Sequence, residues 1–332
     1  MGRVLLECNT TAGNQQCGKG TSEEIIVIPV LLAVSTVIVV AIILWKMCKM
    51  KKDKEKTPII ILSDGSIDTA SPSEVGEFVQ LITFHTAVRK NDYLVKMLWC
   101  QTEAQPLYLI LEAMSLGNLL HFLWKVAQVD TSSADYTYSF TEKKLYNVAL
   151  QIASGLDYLT GVQKLIHGYV ATQSVVIHED MRVKLCNLGI AFDVYRTGSL
   201  SSRRAATTPV KWLAPERLAK QPVTDKSDVW SFGIFLYELV TLGAPPYPDL
   251  QPVDVFPKLQ RGYRMQKPQL CKNSLYDIMK HCWEWKSHDR PSFGKLIKSL
   301  ESLMSHADSV TLLTSTSKLE LAQYRQIAGV FD

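Results

Sequence analysis

The sequence predicts an α+β fold with two unequal lobes, preceded by one transmembrane helix near the N-terminus. This prediction depends on three observations. Residues 25–45 carry no charged side chain, residues 58–112 include short apolar and aromatic runs typical of strands, and most of residues 117–304 follow helical periodicity. A few strands followed by many helices indicate a small strand-containing lobe and a larger helical lobe.

The composition argues against several other classes of protein. The chain has 332 residues, of which 47% are hydrophobic, and this is enough for one large or two small domains with a buried core. The formal net charge of +4 is too small to indicate a nucleic-acid binder. The seven cysteines include no Cys-x-x-Cys pair, so a zinc site is not expected.

The charge-free stretch, residues 25–45, has the length of a membrane span. At about 1.5 Å per residue it gives roughly 31 Å of helix, enough to cross a bilayer core. A core helix rarely runs this long without a charge, and a cleaved signal peptide would have a shorter apolar stretch. Lysines crowd residues 46–57, so the positive-inside rule places the N-terminus outside and the larger part in the cytoplasm. We expect a single-pass protein in contact with the lipid bilayer of the plasma membrane.

The segments beside the span suggest further contacts. Residues 1–24 form a short extracellular segment, in which Asn9 begins an N-glycosylation sequon, a signal that often occurs by chance. Cys8 and Cys17 face an oxidising compartment and could bridge within one chain or form a homodimer. The basic juxtamembrane segment, residues 46–57, could hold anionic lipid or serve only as a topology signal.

Beyond the juxtamembrane segment the pattern becomes that of a folded domain, residues 58–304, followed by a Ser- and Thr-rich C-terminal tail, residues 305–332, which we expect to include flexible chain. The predicted helices are 74–88, 145–159 and a buried helix at 227–239, with helices dominating to residue 304. The predicted strands are 93–100, 107–112 and a hairpin at 175–177 and 183–185, with a strand remnant at 58–62.

Five motifs in the second half of the chain occur in a fixed order. They are Ala214-Pro215-Glu216, Asp228-Val229-Trp230-Ser231-Phe232-Gly233, Leu242-Gly243-Ala244-Pro245-Pro246-Tyr247-Pro248, Cys282-Trp283 and Asp289-Arg290-Pro291. Their order and spacing resemble the helical C-lobe of a protein kinase. Residues 209–213, Pro-Val-Lys-Trp-Leu, resemble the tyrosine-kinase form rather than the serine/threonine form.

This resemblance implies structural roles for several residues. It implies a bilobal fold with a truncated N-lobe at 58–112 and a complete C-lobe at 117–304. Within it, Glu216 and Arg290 are expected to form a buried ion pair, and Asp228 to anchor the loop around His167. Glu112 and Met114 stand in the segment that resembles a kinase hinge, where a nucleotide would bind if the chain binds one.

The residues that resemble a catalytic centre depart from the kinase pattern. A kinase needs a glycine-rich loop, a lysine on the third strand, a catalytic aspartate and metal ligands. The glycine-rich loop is absent, and Ser63 and Asp64 follow the strand remnant where the lysine is expected. Tyr169 replaces the catalytic aspartate, Ser174 the metal-binding asparagine, and Asn187 the metal-binding aspartate. A phenol with an ordinary pKa near 10 cannot replace a carboxylate as proton acceptor at neutral pH.

The chain from residue 5 to about residue 304 resembles the serine/threonine/tyrosine-kinase-like membrane protein family, also called "novel oncogene with kinase domain". The resemblance implies a membrane-bound tyrosine-protein kinase that binds ATP. That family keeps the aspartate and asparagine of the catalytic loop, whereas this chain has Tyr169 and Ser174 there. We therefore interpret the chain as a divergent or N-lobe-shortened member.

Two functions follow from these residues. The first is a pseudokinase that acts as a signalling scaffold or regulator by contacting cytoplasmic signalling proteins, with no cofactor and no metal. The alternative is an atypical tyrosine-protein kinase, which is supported by Lys211, Trp212 and the intact peptide-side loop near Pro209 and which would require ATP and Mg²⁺. Tyr195 and Tyr324 are candidate phosphorylation sites for other kinases, although packing is the favoured role for Tyr195, as it is for many tyrosines.

Overall fold

The computed structural model describes residues 59–62, 72–103, 107–128, 139–200, 203–314 and 321–329. The predicted membrane span at 25–45 lies outside these residues, as do Asn9, Cys8, Cys17, the juxtamembrane segment and Ser63 with Asp64. Within the described ranges no helix is long and apolar enough to cross a membrane. All described residues belong to the unit Thr57–Asp332.

The described part of the chain is mixed helix and strand. Its strands are β1 (Ile59–Leu62), β2 (Met97–Gln101), β3 (Tyr108–Glu112), β4 (Gly117–Asn118), β5 (Val175–Ile177) and β6 (Val183–Leu185). Its helices are α1 (Pro72–Val88), α2 (Leu119–Gln128), α3 (Glu142–Asp157), α4 (Gly189–Thr197), α5 (Arg203–Ala206), α6 (Pro215–Leu218), α7 (Asp225–Val240), α8 (Pro252–Gln260), α9 (Asn273–Cys282), α10 (Phe293–Ser305) and α11 (Leu321–Ala328).

The small lobe contains an antiparallel sheet with the strand order β1-β3-β2. The strand remnant predicted at 58–62 is β1, and it pairs with β3 so that Ile59 lies opposite Glu112. The strand predicted at 93–100 begins only at Met97. Its first part is not in this sheet because Leu94 forms a bridge to Leu185 of the other lobe.

A second small sheet, with the order β4-β5-β6, belongs to the larger lobe. The hairpin predicted at 175–177 and 183–185 is confirmed, with Val175 opposite Leu185. The residues that follow β6 lead directly into the candidate site, so this hairpin sets their position.

Helix α3 begins one turn earlier than the apolar pattern predicts and ends two residues earlier. The Thr141 side chain accepts a hydrogen bond from the backbone N–H of Lys144, which caps the helix and lets it begin at Glu142. After Asp157 the chain continues as a π-helical turn, Tyr158–Val162, which carries the last apolar residues of the pattern.

Helix α7 lies at the centre of the larger lobe and is buried on all sides, as its apolar sequence predicts. Thr224 and Ser227 form a capping box at its start, so its N-terminal amides are satisfied inside the protein. A side chain at Gly233 would begin 2.6 Å from Nε1 of Trp283 and 2.7 Å from Cβ of Cys282. Two of the predicted motifs therefore meet face to face, and glycine is required at their contact.

The ion pair expected between Glu216 and Arg290 is present and bidentate. Two guanidinium nitrogens of Arg290 donate to the two carboxylate oxygens of Glu216, each at 2.8 Å, and the Arg290 side chain is fully buried. Arg290 also lies over the ring of Trp230, with its guanidinium carbon 5.1 Å from the ring centroid. Burial alone would raise the pKa of Glu216, but hydrogen bonds from Arg290 and Ser227 outweigh it and hold the pKa below its usual range.

The described residues of the C-terminal tail contact the larger lobe, and the prediction that the tail includes flexible chain stays a prediction. The backbone N–H of Asp308 donates to Glu142 at 2.9 Å, and that of Leu313 donates to the carbonyl of Phe140 at 2.8 Å. Further on, Tyr324 in α11 is only 2% exposed. The described parts of the tail pack against the larger lobe through these backbone hydrogen bonds and through apolar side chains. Their Ser- and Thr-rich composition did not indicate this packing.

Replacing Arg290 by alanine is expected to destabilise the domain by about 3–5 kcal/mol, because the Glu216 carboxylate would remain buried without its partner. The free energy of unfolding can be measured by denaturant titration. Lys280→Ala removes an exposed ion pair with Asp277 and serves as the matched control, with no measurable change expected. Equal stability of the two variants would contradict a structural role for the buried pair.

Candidate functional site

The positions expected to perform phosphoryl transfer in a kinase lie on the loop 167–174, at the end of β6 and at the start of α4. Helix α7 holds this loop in place. The Asp228 carboxylate accepts the backbone N–H of His167 at 2.7 Å and that of Gly168 at 2.9 Å. Burial raises the pKa of Asp228 to about 6, although the two backbone hydrogen bonds act in the opposite direction. Asp228 thus holds the loop in place, as the resemblance implied.

Tyr169, in the place of the catalytic aspartate, points into the protein. Its ring packs edge-on against Trp212, with 6.2 Å between the ring centroids. Its hydroxyl is buried and has no hydrogen-bond partner among the described residues. Burial, with the nearby Glu238 carboxylate adding to it, raises the pKa of Tyr169 well above its ordinary value. This phenol is therefore a packing group and cannot accept a proton at neutral pH.

Ser174 and Asn187, at the two metal-ligand positions, are brought together. The side-chain amide of Asn187 donates to Oγ of Ser174 and to the carbonyl of Gln173, each at 3.4 Å. Both side chains are neutral, and Mg²⁺ prefers carboxylates or phosphates as its anchors. In the described ranges no group of three or more His, Cys, Asp or Glu side chains is placed to hold a metal ion. The donor set at this point does not fit a kinase's Mg²⁺.

The hinge residues are held by polar contacts of their own. Oε1 of Glu112 accepts the Lys184 ammonium at 2.6 Å and the backbone N–H of Lys96 at 2.7 Å. The carbonyl of Met114 accepts the backbone N–H of Gly117 at 3.0 Å. The ion pair ties the hinge of the small lobe to β6 of the larger one.

The residues after Asn187 form helix α4, which lies against α1. Phe84 of α1 contacts Phe192 and Tyr195, with ring centroids 5.7 and 5.6 Å apart. Tyr195, a candidate phosphorylation site, therefore both packs and remains 42% exposed. Helix α1 also presents Leu81 toward the core, near the position where a kinase has its glutamate.

Helix α4 reaches the catalytic loop because position 168 has no side chain. Gly168 has a φ of +79°, and a Cβ there would lie 2.5 Å from Cγ2 of Ile190. The kinase pattern has an arginine at this position, which could not coexist with this arrangement of α4. Arg217 also holds the catalytic loop, because its guanidinium donates to the carbonyls of Gly168 and Ala205.

The peptide-side loop is held by buried polar contacts. The Lys211 ammonium is buried and donates to the carbonyl of Tyr247 at 2.7 Å, and burial lowers its pKa to about 8. Glu238 of α7 accepts the indole N–H of Trp212 at 3.0 Å and the hydroxyl of Thr172 at 2.8 Å. Burial raises the pKa of Glu238 to about 7, which those hydrogen bonds only partly offset. Lys211 is therefore engaged in the fold rather than presented to a substrate.

Sequence reasoning missed four residues of this site: Lys184, Ile190, Arg217 and Glu238. Glu238 carried a signal, because an acidic residue inside an otherwise apolar helix must find buried donors. Arg217 follows the Ala-Pro-Glu motif directly, but its partners are distant in sequence. The contact of Ile190 with Gly168 carried no sequence signal.

Gly168→Ala is expected to destabilise the domain by about 2–4 kcal/mol, through both its positive φ and the collision with Ile190. Gly198→Ala is the matched control, because Gly198 also has a positive φ, of +66°, but open space around it. In an Ile190→Ala background, the free energy of unfolding that is lost on Gly168→Ala should be smaller by about 1 kcal/mol or more. Denaturant titration of Gly168→Ala, Gly198→Ala, Ile190→Ala and the Gly168→Ala/Ile190→Ala double variant measures this coupling. Equal losses of unfolding free energy on Gly168→Ala in the two backgrounds would contradict the contact.

Comparisons with known proteins agree with this architecture. The model of the protein tyrosine and serine/threonine kinase family matches residues 40–300. Tyrosine-protein kinase STYK1 of Mus musculus is 39% identical over 279 residues, which cover 84% of this chain and 65% of the mouse protein. The Homo sapiens protein of the same name is 40% identical over 263 residues, or 79% of this chain and 62% of its own length.

More distant relatives include receptor tyrosine kinases. Fibroblast growth factor receptor 1 of Xenopus laevis is 34% identical over 243 residues, or 71% of this chain and 30% of the receptor. The chain spans less than two thirds of the length of each relative named here. The kinase resemblance inferred from the motifs is confirmed, and the chain belongs to the protein tyrosine and serine/threonine kinase family as a homologue of the STYK1 proteins.

Proposed function

We propose that this chain is a membrane-anchored tyrosine-kinase-like pseudokinase that acts as a signalling scaffold or regulator through protein–protein contacts. The single observation that carries the proposal is the state of the catalytic positions. Tyr169 is buried against Trp212, and Ser174 and Asn187 are neutral side chains bonded to each other.

Phosphoryl transfer depends on charge at these positions. The transferred group carries negative charge that metal ions neutralise, and a carboxylate accepts the proton of the attacking hydroxyl. Here a buried phenol and an amide replace the two carboxylates that a kinase needs, and a hydroxyl replaces its neutral metal-binding asparagine, so none of the three positions carries a negative charge at neutral pH. Electrostatic stabilisation and positioning of the nucleotide are therefore both lost.

The contacts that preserve the fold are retained at the same time. Asp228 holds the catalytic loop, the Glu216–Arg290 pair holds the motif after the peptide-side loop, and Lys211 and Glu238 hold that loop itself. A rigid C-lobe surface without chemistry favours a binding function. This hypothesis predicts that the partners are cytoplasmic signalling proteins.

The alternative is an atypical tyrosine-protein kinase, and it is favoured by the name of the relatives, "Tyrosine-protein kinase STYK1". It requires ATP and Mg²⁺ at Glu112, Met114 and Asn187. Membrane anchoring is part of both readings. It follows from the charge-free residues 25–45 and the lysines after them.

Excess Mg·ATP is expected to leave the melting temperature of the purified full-length chain unchanged. A ligand at 100 times its dissociation constant would stabilise the folded state by about 2.7 kcal/mol, which a thermal melt detects. An active receptor tyrosine kinase domain in the same buffer serves as the positive control for the assay.

The comparison variant for this melt is Asn187→Gly, which removes the amide but keeps the positive φ of 58° at no steric cost. A Mg²⁺-dependent rise in melting temperature that is present in the natural chain and lost in this variant would favour the atypical kinase. A kinase assay with peptide substrates would then be required.

The anchor can be tested separately by alkaline extraction of membranes from cells that express the full-length chain. The natural chain is expected to remain in the membrane pellet. The double variant Val34→Arg with Ile38→Arg should be extracted, because each arginine near the middle of a span costs about 2.5–3.5 kcal/mol. Val253→Arg with Val310→Arg adds the same charge at positions 81% and 83% exposed and should stay in the pellet. Extraction of the natural chain would contradict the anchor.

A further inference from the structure

The last described helix, α11, is amphipathic and docked. Tyr324 and Ala328 lie four residues apart on one face and are 2% and 1% exposed. Gln323, Arg325 and Gln326 occupy the exposed face. The ring of Tyr324 packs edge-on against Trp124, with 5.0 Å between the ring centroids. The helix therefore inserts one aromatic side chain into the larger lobe.

Three elements form the surface that receives α11, here called the tail groove and defined by Trp124, Gly243 and Pro252. The indole N–H of Trp124 donates to the carbonyl of Gly243 at 3.0 Å, so the ring is held in one orientation. Gly243 has a φ of +85°, and a Cβ there would lie 2.9 Å from Trp124, so the groove needs glycine at this point. Gly329, at φ +70°, ends α11 against Pro252, where a Cβ would lie 2.6 Å from Cγ of the proline.

The tail groove borders the peptide side of the candidate site. Burial raises the pKa of Tyr324 far above its ordinary value, and the charge of Glu238 and the phenol of Tyr169 act on it in the same direction. Glu238 is the residue that binds Trp212 of the peptide-side loop. The backbone N–H of Gly243 donates to the carbonyl of Glu238 at 2.7 Å, so the tail groove and the peptide-side loop both contact this residue of α7.

The hydroxyl of Tyr324 is out of place in this docked state. It is buried and has no hydrogen-bond partner among the described residues. A buried hydroxyl without a partner loses its bonds to water and gains none, so docking would be stronger with phenylalanine at this position. While the tail is docked, the buried hydroxyl is out of reach of another enzyme, which could modify it only when the tail is released.

We propose that Tyr324 is a phosphorylation site gated by the tail helix: while α11 occupies the tail groove Tyr324 is protected, and phosphorylation captures the released tail and leaves the groove open. This inference goes beyond the proposed function. It concerns modification of this chain by another enzyme, so it holds whether or not the chain itself binds nucleotide.

The reaction is a phosphoryl transfer by a separate tyrosine kinase with Mg·ATP as the donor. A bond forms between Oη of Tyr324 and the γ-phosphorus of ATP, and the bond from that phosphorus to the β,γ-bridging oxygen breaks. The phenolic proton is released and ADP leaves. The product carries about −1.5 to −2 charges, which the apolar groove beside the Glu238 carboxylate cannot accept, so the modified tail cannot return.

The test compares phosphorylation of Tyr324 in full-length variants by an added active tyrosine kinase, followed by mass spectrometry. Gly329→Val keeps Tyr324 but places a side chain against Pro252 at a positive φ, so it should release the tail. We expect Tyr324 in this variant to be modified about tenfold faster or more than in the natural chain, because the reactive population is the undocked one. Gln323→Ala changes an exposed residue of the same helix and should leave the rate unchanged.

Hydrogen exchange of residues 321–329 gives a second reading that does not depend on the added kinase. Exchange should be slow in the natural chain and in Tyr324→Phe, fast in Gly329→Val, and fast in the natural chain after phosphorylation. Equal modification rates in the natural chain and Gly329→Val would overturn the proposal. So would unprotected exchange in the natural chain, or slow exchange that persists after phosphorylation. A reaction without the added kinase measures any activity of the chain itself, which keeps this test separate from that of the proposed function.

Discussion

The contact between Asp228 and the backbone of the catalytic loop is the constraint on which the rest of the structure depends. One buried carboxylate at the start of α7 accepts hydrogen bonds from the backbone N–H groups of His167 and Gly168. The loop is therefore held against the buried helix α7. Because α7 has no exposed face, it cannot shift without opening the core. Every candidate site residue that follows the loop inherits its position from this anchor.

The same frame positions an uncharged side chain at each of the three places where a kinase has its catalytic base and its metal ligands. Tyr169 fills space beside Trp212, and Asn187 and Ser174 satisfy each other instead of a cation. The losses are also structurally coupled. An arginine at position 168 would exclude Ile190, so the loss of that side chain and the packing of α4 on the loop go together. The candidate site is therefore packed as part of the core. Its uncharged side chains contribute to the stability of this packed arrangement.

Helix α4 and the tail helix α11 are both packed against the larger part of the domain in this chain. Helix α4 lies between the catalytic loop and α1, and α11 lies beside the peptide side with Tyr324 against Trp124. Each is held by aromatic contacts and by a glycine whose missing side chain leaves room for a neighbouring side chain. Release of the tail would uncover an aromatic surface next to the peptide-side loop, which is a suitable place for a regulated contact with another polypeptide.

The sequence by itself determined the mixed helix and strand content, the β5–β6 hairpin, the buried helix α7 and the kinase family, because these depend on periodicity and on motifs with fixed spacing. It also determined which side chains stand at Tyr169, Ser174 and Asn187, and hence that they carry no charge. Only the tertiary structure decided where those side chains point, that Glu112 pairs with Lys184, that Ile190 rests on Gly168, and that the tail docks through Tyr324. These contacts join residues far apart in the chain, and their energy comes from burial and geometry that no local pattern records.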